Sequence, residues 1–310
     1  LIASLLVRRP SMIYAYHPQV MTGVLGILTS FFRRIPFITD VQDLWPDALH
    51  AAGLNEKGLL SKVISRLTNL IYRRADKIIV LSEGFKKKIQ SYGISDDKIV
   101  VVYNWNAIEK KKDQSQCGDI AQDLTDRDVV FSYIGNIGTA QNIKVLIDAF
   151  ANCSDLPIQF RIIGSGVEEV KLRTYVNDID CQNVSFTGYI SSDLIDIEYK
   201  SSDVVVAHLK KDDLFSITIP SKTQSYLYAG KPILMAVNGE AGSIVVKAGA
   251  GLRAESDDIV SVETAIRTMY SRQDDWAQMG QNGILYYIEH MSRSSGVDQI
   301  YKVLQEIEIK

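Results

Sequence analysis

Short apolar runs alternate with amphipathic stretches along most of the chain. In the first part, residues 12–16, 36–41, 77–81 and 98–103 are apolar runs of strand length. Between the middle pair, residues 56–74 carry Leu59, Leu60, Val63, Ile64, Leu67, Leu70 and Ile71 at i, i+3, i+4 spacing, which predicts a helix with one apolar face. The polar, non-periodic stretch from 108 to 128 interrupts this pattern, and its core at 111–127 reads as a linker. The alternation then restarts. Strands are predicted at 129–134, 158–163, 184–186, 204–207, 233–236 and 251–253, with helices at 142–152, 168–177, 193–200 and 223–229. From about residue 257 to the end the pattern is mostly helical. Strands and helices that alternate in this way build parallel sheets covered by helices, here two doubly wound α/β halves: 1–110 and 128–289, with the segment 290–310 free to pack back on the first.

Residues 10–32 contain no Asp, Glu, Lys or Arg, a length that a membrane span would need. His17, Pro18, Gln19 and Gly23 interrupt the stretch, so a buried strand followed by a buried helix is the expectation. The chain opens on Leu1 in mid-pattern, as if the tail of a helix occupied residues 1–9, and this reads as an N-terminal truncation. Composition adds little: 310 residues, 46% hydrophobic and 23% charged, are those of a globular protein with room for two domains. Cys117, Cys153 and Cys181 are far apart, and the four histidines lack paired spacing, which argues against a disulfide framework or a structural zinc site. Charge changes the picture more. Residues 1–112 hold 17 basic and 9 acidic residues, a net +8, whereas residues 113–310 hold 17 and 28, a net −11. Basic pairs and triplets at Arg8, Arg33, Arg73, Lys86 and Lys110 fit an anionic membrane surface. No nucleic-acid motif or interleaved aromatic set accompanies them, so a nucleic-acid partner is not expected.

Residues 219–234 carry the densest chemistry. Pro220, Ser221 and Thr223 suit a helix start and Gly230 its end, followed by an apolar strand. A helix start offers unpaired N–H groups and the positive end of the helix dipole, and Lys222 lies in the same turn. Together these favour a diphosphate, although an ordinary capped core helix has the same pattern. In residues 131–142 a strand runs into Gly135, Asn136 and Gly138, and at 161–166 another runs into Gly164 and Gly166. Two such loops on consecutive strands make a ligand crevice plausible, and a plain tight turn explains either loop alone. The phosphate-loop motif of ATPases and the Gly-x-Gly-x-x-Gly fingerprint are both absent. In the first half, Asp40, Gln42, Asp43 and Asp47 follow a strand directly, where α/β sheets place ligands and where helix caps also occur. Asn104 follows the fourth strand on the same edge.

These residues resemble a bacterial family-4 glycosyltransferase. The resemblance rests on Asp43-Leu44-Trp45-Pro46, Tyr72-Arg73-Arg74-Ala75-Asp76, Tyr103-Asn104-Trp105, the 133–138 loop, Pro220-Ser221-Lys222, Ala229-Gly230-Lys231-Pro232 and Gly239-Glu240, and it covers nearly the whole chain. It points to the surface-polysaccharide branch that includes L-fucosamine transferases. The fold it implies is α/β of GT-B type: two Rossmann-like doubly wound parallel-sheet domains facing a cleft, the first lacking its opening strand, glycine loop and helix. It further implies a retaining transferase that moves a sugar, N-acetyl-L-fucosamine among the candidates, from a nucleotide-diphosphate donor. UDP is favoured over GDP. The acceptor would be a polyprenyl-diphosphate-linked glycan at the inner face of the cell membrane, and neither cofactor nor metal is expected.

On that resemblance Lys222, with the amides of Ser221 and Thr223, holds the donor diphosphate. Gly135, Asn136 and Gly138 lie against phosphates and sugar, Gly164 and Gly166 line the nucleotide side, and Tyr189 and Ile190 lie near the base. Asp43 and Gln42 face the reacting sugar. The chain departs from the family where two glutamates commonly stand, having Ile217 and Ser225, and where a histidine is usual, having Gln42. Two rival readings stay open: a nucleotide-sugar 2-epimerase of the same architecture, and an inactive fragment or regulatory subunit.

Overall fold

The computed structural model describes residues 8, 10–17, 19–51, 55, 58–106 and 127–308. The helix tail expected at 1–9 apart from Arg8, the helix start at Glu56 and Lys57, and the linker expected at 111–127 apart from Arg127 lie outside them. The chain forms two compact units, residues 1–104 with 293–310, and residues 105–292.

The first unit is a four-stranded sheet in the order β1-β2-β3-β4, formed by Ile13–His17, Phe37–Val41, Lys77–Val80 and Ile99–Val101. Its strands are parallel. Helices α1 (Val20–Arg33), α2 (Asp47–Ala51), α3 (Leu59–Arg74) and α4 (Glu83–Ser91) connect them. Phe37, Ile38, Val41, Ile78, Ile79 and Val80 are almost inaccessible to solvent, as expected of strands covered on both faces. α4 was not legible in the apolar pattern; the Ser82 hydroxyl starts it by accepting the Phe85 N–H at 2.9 Å. The C-terminal helix (Arg293–Glu308) belongs to this unit, packing Val303 and Ile307 on Ile38, Ile79 and Val102.

The uncharged stretch at 10–32 divides into a strand and a helix, but α1 is not buried all round. Val20, Gly23, Gly26 and Thr29 face inward, while Met21, Leu25, Leu28, Phe31 and Phe32 are exposed. Glycine lets the inner face sit close: a Cβ on Gly26 would lie 2.3 Å from the Phe37 ring. Among the described residues no helix is long and apolar enough to cross a membrane.

The second unit holds six parallel strands: β5 (Val129–Ile134), β6 (Ile158–Ile163), β7 (Val184–Gly188), β8 (Val204–His208), β9 (Ile233–Ala236) and β10 (Gly251–Arg253). Their order is β10-β9-β8-β5-β6-β7. Helices α5 (Ile143–Ala151), α6 (Glu169–Asp178), α7 (Ile195–Lys200), α8 (Asp213–Ile217), α9 (Ser221–Ala229), α10 (Glu240–Lys247), α11 (Ile259–Ser271) and α12 (Trp276–Tyr286) follow the strands. Phe150 stacks on Phe160 at 4.1 Å and meets Phe131 edge-on in the core. This unit begins at Trp105 rather than at residue 128, and the Asn106 N–H reaches the Tyr287 hydroxyl at 3.2 Å. From β5 the chain runs outward through β6 and β7, then returns to the other side as β8. The carboxyl ends of β5 and β8 therefore flank the point where strand order reverses, the position where open α/β sheets bind ligands.

Candidate functional site

Three loops meet at that edge of the second unit. β5 runs directly into Gly135, whose φ of 143° is closed to most side chains, and β6 into Gly164, with φ of 139°. The two loops lie backbone to backbone. The Gly135 N–H donates to the Ile163 carbonyl at 2.8 Å and the Ile137 N–H to the Ser165 carbonyl at 2.9 Å. A Cβ on Gly164 would stand 1.9 Å from the Gly135 oxygen, and one on Gly166 2.3 Å from the Ile137 oxygen. Packing between loops thus accounts for Gly164 and Gly166 without a ligand. Gly135 differs: the atom nearest its vacant Cβ position is the Lys222 ammonium, at 2.6 Å.

Lys222 arrives there on α9. The helix starts at Ser221, two residues before the predicted start, because Pro220 is extended (ψ 145°) and serves as N-cap without a side-chain hydrogen bond. Gly230 ends it in the left-handed conformation, φ 73°. Tyr226 fixes the helix on the sheet. Fully buried, its hydroxyl accepts the Ile134 N–H at 3.2 Å and donates to the Val206 carbonyl at 3.1 Å. The helix N-terminus is thereby held over the ends of β5 and β8. Tyr226→Phe orphans both backbone groups, and a loss of about 1–3 kcal/mol in urea unfolding is expected.

The Lys222 ammonium lies 4.7 Å from the centre of the Tyr133 ring and has no carboxylate or hydrogen-bond partner among the described residues. Burial without a counter-charge pulls its pKa down to about 8. Thr223 is buried with its hydroxyl oxygen unpartnered among the described residues, and Ser221 is exposed in the same turn. The first turn of α9 carries no acid. Asn136 is exposed on the loop, and its backbone oxygen accepts the Tyr133 hydroxyl at 2.5 Å. Tyr189, 78% exposed, and the half-buried Ile190 follow β7 directly, and the Gly188 carbonyl accepts the Gly164 N–H at 2.8 Å. All the donor-side residues expected from sequence therefore lie in loops at one edge of this sheet or in the first turn of α9. Of the two positions where glutamates are usual, Ile217 ends α8 and Ser225 lies within α9.

In the first unit the structure separates the three clustered carboxylates. Asp40 is 5% exposed, accepts the Tyr14 hydroxyl, and accepts the Gln42 amide at 2.6 Å; burial raises its pKa against both bonds. Asp47 pairs with Lys88 at 2.9 Å and accepts the Tyr92 hydroxyl at 3.3 Å. Asp43 alone of the three has no partner among the described residues, and partial burial raises its pKa. Gln42 is held from both sides, since its oxygen accepts the Asn104 amide at 3.2 Å. Tyr14 and Asp40, which orient Gln42, were not anticipated as a set; 26 residues separate them and no local pattern links them.

Comparison with known proteins supplies the family. The profile described as "Glycosyl transferases group 1" matches residues 118–286, and "Glycosyl transferase 4-like domain" matches residues 1–105. A probable glycosyltransferase WbjE of Pseudomonas aeruginosa is 24% identical over 73% of this chain and 58% of its own length. The putative colanic acid biosynthesis glycosyl transferase WcaI of Escherichia coli K12 is 25% identical over 62% of this chain and 49% of its own. The chain thus spans about half the length of these curated relatives. Among solved structures, Anabaena Alr3699/HepE in complex with UDP superposes with a TM-score of 0.75 at 18% identity, covering 94% of this chain and 78% of that one. The lipopolysaccharide outer core galactosyltransferase WaaB gives 0.70 at 17% identity, covering 98% and 78%. These likenesses establish the GT-B, α/β fold. With a family profile matched over more than half of its residues, the chain belongs to the glycosyl transferases group 1 family.

Proposed function

We propose that this chain is a retaining glycosyltransferase of surface-polysaccharide assembly, with a nucleoside-diphosphate sugar as donor. The observation that carries the reading is Lys222: a desolvated ammonium without a counter-charge among the described residues, over a glycine loop and at a helix N-terminus. An anion of two or more charges completes that arrangement. In the reaction the donor C1–O bond breaks, the diphosphate takes the electron pair, the acceptor hydroxyl oxygen bonds C1 on the same face, and its proton passes to the leaving diphosphate oxygen. Lys222 and the positive end of α9, with the Ser221 amide, stabilise the leaving diphosphate, so that no metal is required; the Thr223 N–H, expected from sequence to join them, instead donates to the Pro220 carbonyl at 2.8 Å. Gln42 and Asp43 are the residues proposed to serve the acceptor side, in the first unit. UDP is the proposed nucleotide, in keeping with the UDP bound by Alr3699/HepE, and N-acetyl-L-fucosamine the proposed sugar. Calorimetric titration with UDP and GDP is expected to show binding of one nucleotide, unchanged by EDTA. Binding of neither overturns the reading, and UDP-N-acetyl-L-fucosamine against UDP-N-acetylglucosamine tests the sugar.

The acceptor proposed is a polyprenyl-diphosphate-linked glycan, reached from the inner surface of the membrane. The exposed Met21, Leu25, Phe31 and Phe32 of α1, followed by Arg33 and Arg34, support this. Sedimentation with phosphatidylglycerol vesicles is expected, with little binding to phosphatidylcholine. Phe31→Asp combined with Phe32→Asp should abolish it; equal binding by that variant would refute the surface.

A further inference from the structure

We propose that His208 is a positioning residue for donor binding, its ring fixing the loop 135–141 through the Gln141 carbonyl. The inference rests on the reading of that loop as the diphosphate site. His208 ends β8 and is 1% exposed. Its Nδ1 stands 2.7 Å from the Gln141 carbonyl oxygen, which only accepts, so Nδ1 carries the proton. Its Nε2 accepts the Asp257 N–H at 3.1 Å, so Nε2 is bare. The ring is therefore one neutral tautomer, and burial, which lowers its pKa, agrees; the Gln141 carbonyl and Asp257 oppose that shift.

From Gln141 the connection continues into the loop. The Gln141 side-chain oxygen accepts the Gly138 N–H at 3.1 Å and the Asn136 amide at 3.4 Å. The Lys210 N–H, two residues beyond His208, holds the Ala140 carbonyl at 2.9 Å. Asp257 closes the ring of bonds: its carboxylate accepts the Asn142 amide at 2.7 Å and the Lys211 N–H at 2.8 Å. Asn142 and Asp257 both have positive φ, 40° and 57°, a conformation that persists where neighbours over-determine it. His208 joins the ends of β5 and β8 and the segment after β10. Gln141 thus bonds both the histidine ring and the residues proposed to face phosphate.

Calorimetry with UDP and GDP, on the whole chain and on His208→Leu and His208→Gln, tests this. Leucine fills the volume without either bond; glutamine offers an N–H and an oxygen in their place. A rise of about tenfold in nucleotide Kd for His208→Leu is expected, with recovery to within about threefold in His208→Gln. A folded His208→Leu that binds like the wild type overturns the proposal and leaves the donor site standing. Binding of neither nucleotide by the wild type overturns both. Should His208→Leu fail to fold, ¹⁵N-histidine NMR of the wild type decides: the His208 Nδ1–H resonance should shift when the nucleotide saturates, and an unmoved resonance refutes the role.

Discussion

Lys222→Met is expected to weaken nucleotide binding at least a hundredfold while leaving the free protein as stable as the wild type or more so. The two halves of this expectation have one cause. The ammonium is desolvated and unpaired among the described residues, so in the empty protein it costs free energy. A diphosphate converts that cost into a charge-assisted contact in a site of low dielectric, for which about 3 kcal/mol, a hundredfold, is a modest figure. Methionine keeps much of the stem's length and its contact with the Tyr133 ring. The pH dependence has a definite sign. The folded pKa, about 8, is below the ordinary lysine value of 10.5, so between these values the unfolded chain binds a proton that the folded chain does not. Wild-type stability therefore gains with rising pH across that window, and the variant lacks the gain. Nucleotide affinity goes the other way: above about pH 8 the free amine is neutral, and affinity should fall about tenfold per unit. Urea unfolding at pH 7 and pH 10, with calorimetry from pH 6.5 to 9.5, measures both. A variant that binds UDP normally, or a wild type with flat affinity through pH 9.5, removes Lys222 from the site.

What the sequence made legible here was local. Pro220, Gly230 and the apolar run after Pro232 delimit α9 and β9 because each stop acts on its own neighbours. The helical range at 223–229 starts two residues late, whereas the Pro220-Ser221 start signal marks the true beginning at Ser221. The five-residue α8 is too short for a period to show. The uncharged face of α1 looked buried because composition reports polarity and not contact; only its glycine side meets the sheet. The candidate site was legible as loops and not as roles. Three carboxylates within eight residues are alike until Tyr14, Lys88 and Tyr92 arrive from elsewhere and leave Asp43 unpaired among the described residues. The His208–Gln141 bond spans 67 residues, and nothing in either neighbourhood announces it.

The glycines give the other large effect, and they divide by what occupies the missing side chain. Gly164→Ala should cost about 3–5 kcal/mol. The new Cβ would stand 1.9 Å from the Gly135 carbonyl oxygen, a backbone atom of the residue just beyond β5, and φ at 139° is unfavourable for alanine. Neither loop can yield without breaking the Gly135–Ile163 bond at 2.8 Å. Against a typical stability of about 5–15 kcal/mol this is a large fraction, and nucleotide binding should fall only as far as the loop is disordered. Gly135→Ala carries a similar φ penalty, with a different collision. Its Cβ would meet the Lys222 Nζ at 2.6 Å and Cε at 2.7 Å, the free end of a flexible side chain. The lysine swings away at little cost, so the stability loss should stay near the backbone term, about 1–3 kcal/mol. The ammonium then no longer covers the loop, and nucleotide affinity should drop well over tenfold. Urea unfolding paired with UDP titration separates the two variants: Gly164→Ala is chiefly a stability variant and Gly135→Ala chiefly a binding variant. If the alanine at Gly135 destabilises as much as the one at Gly164 and binds nucleotide unimpaired, the lysine is not the group that Gly135 makes room for. Gly135 would then be explained by loop packing, as Gly164 and Gly166 already are.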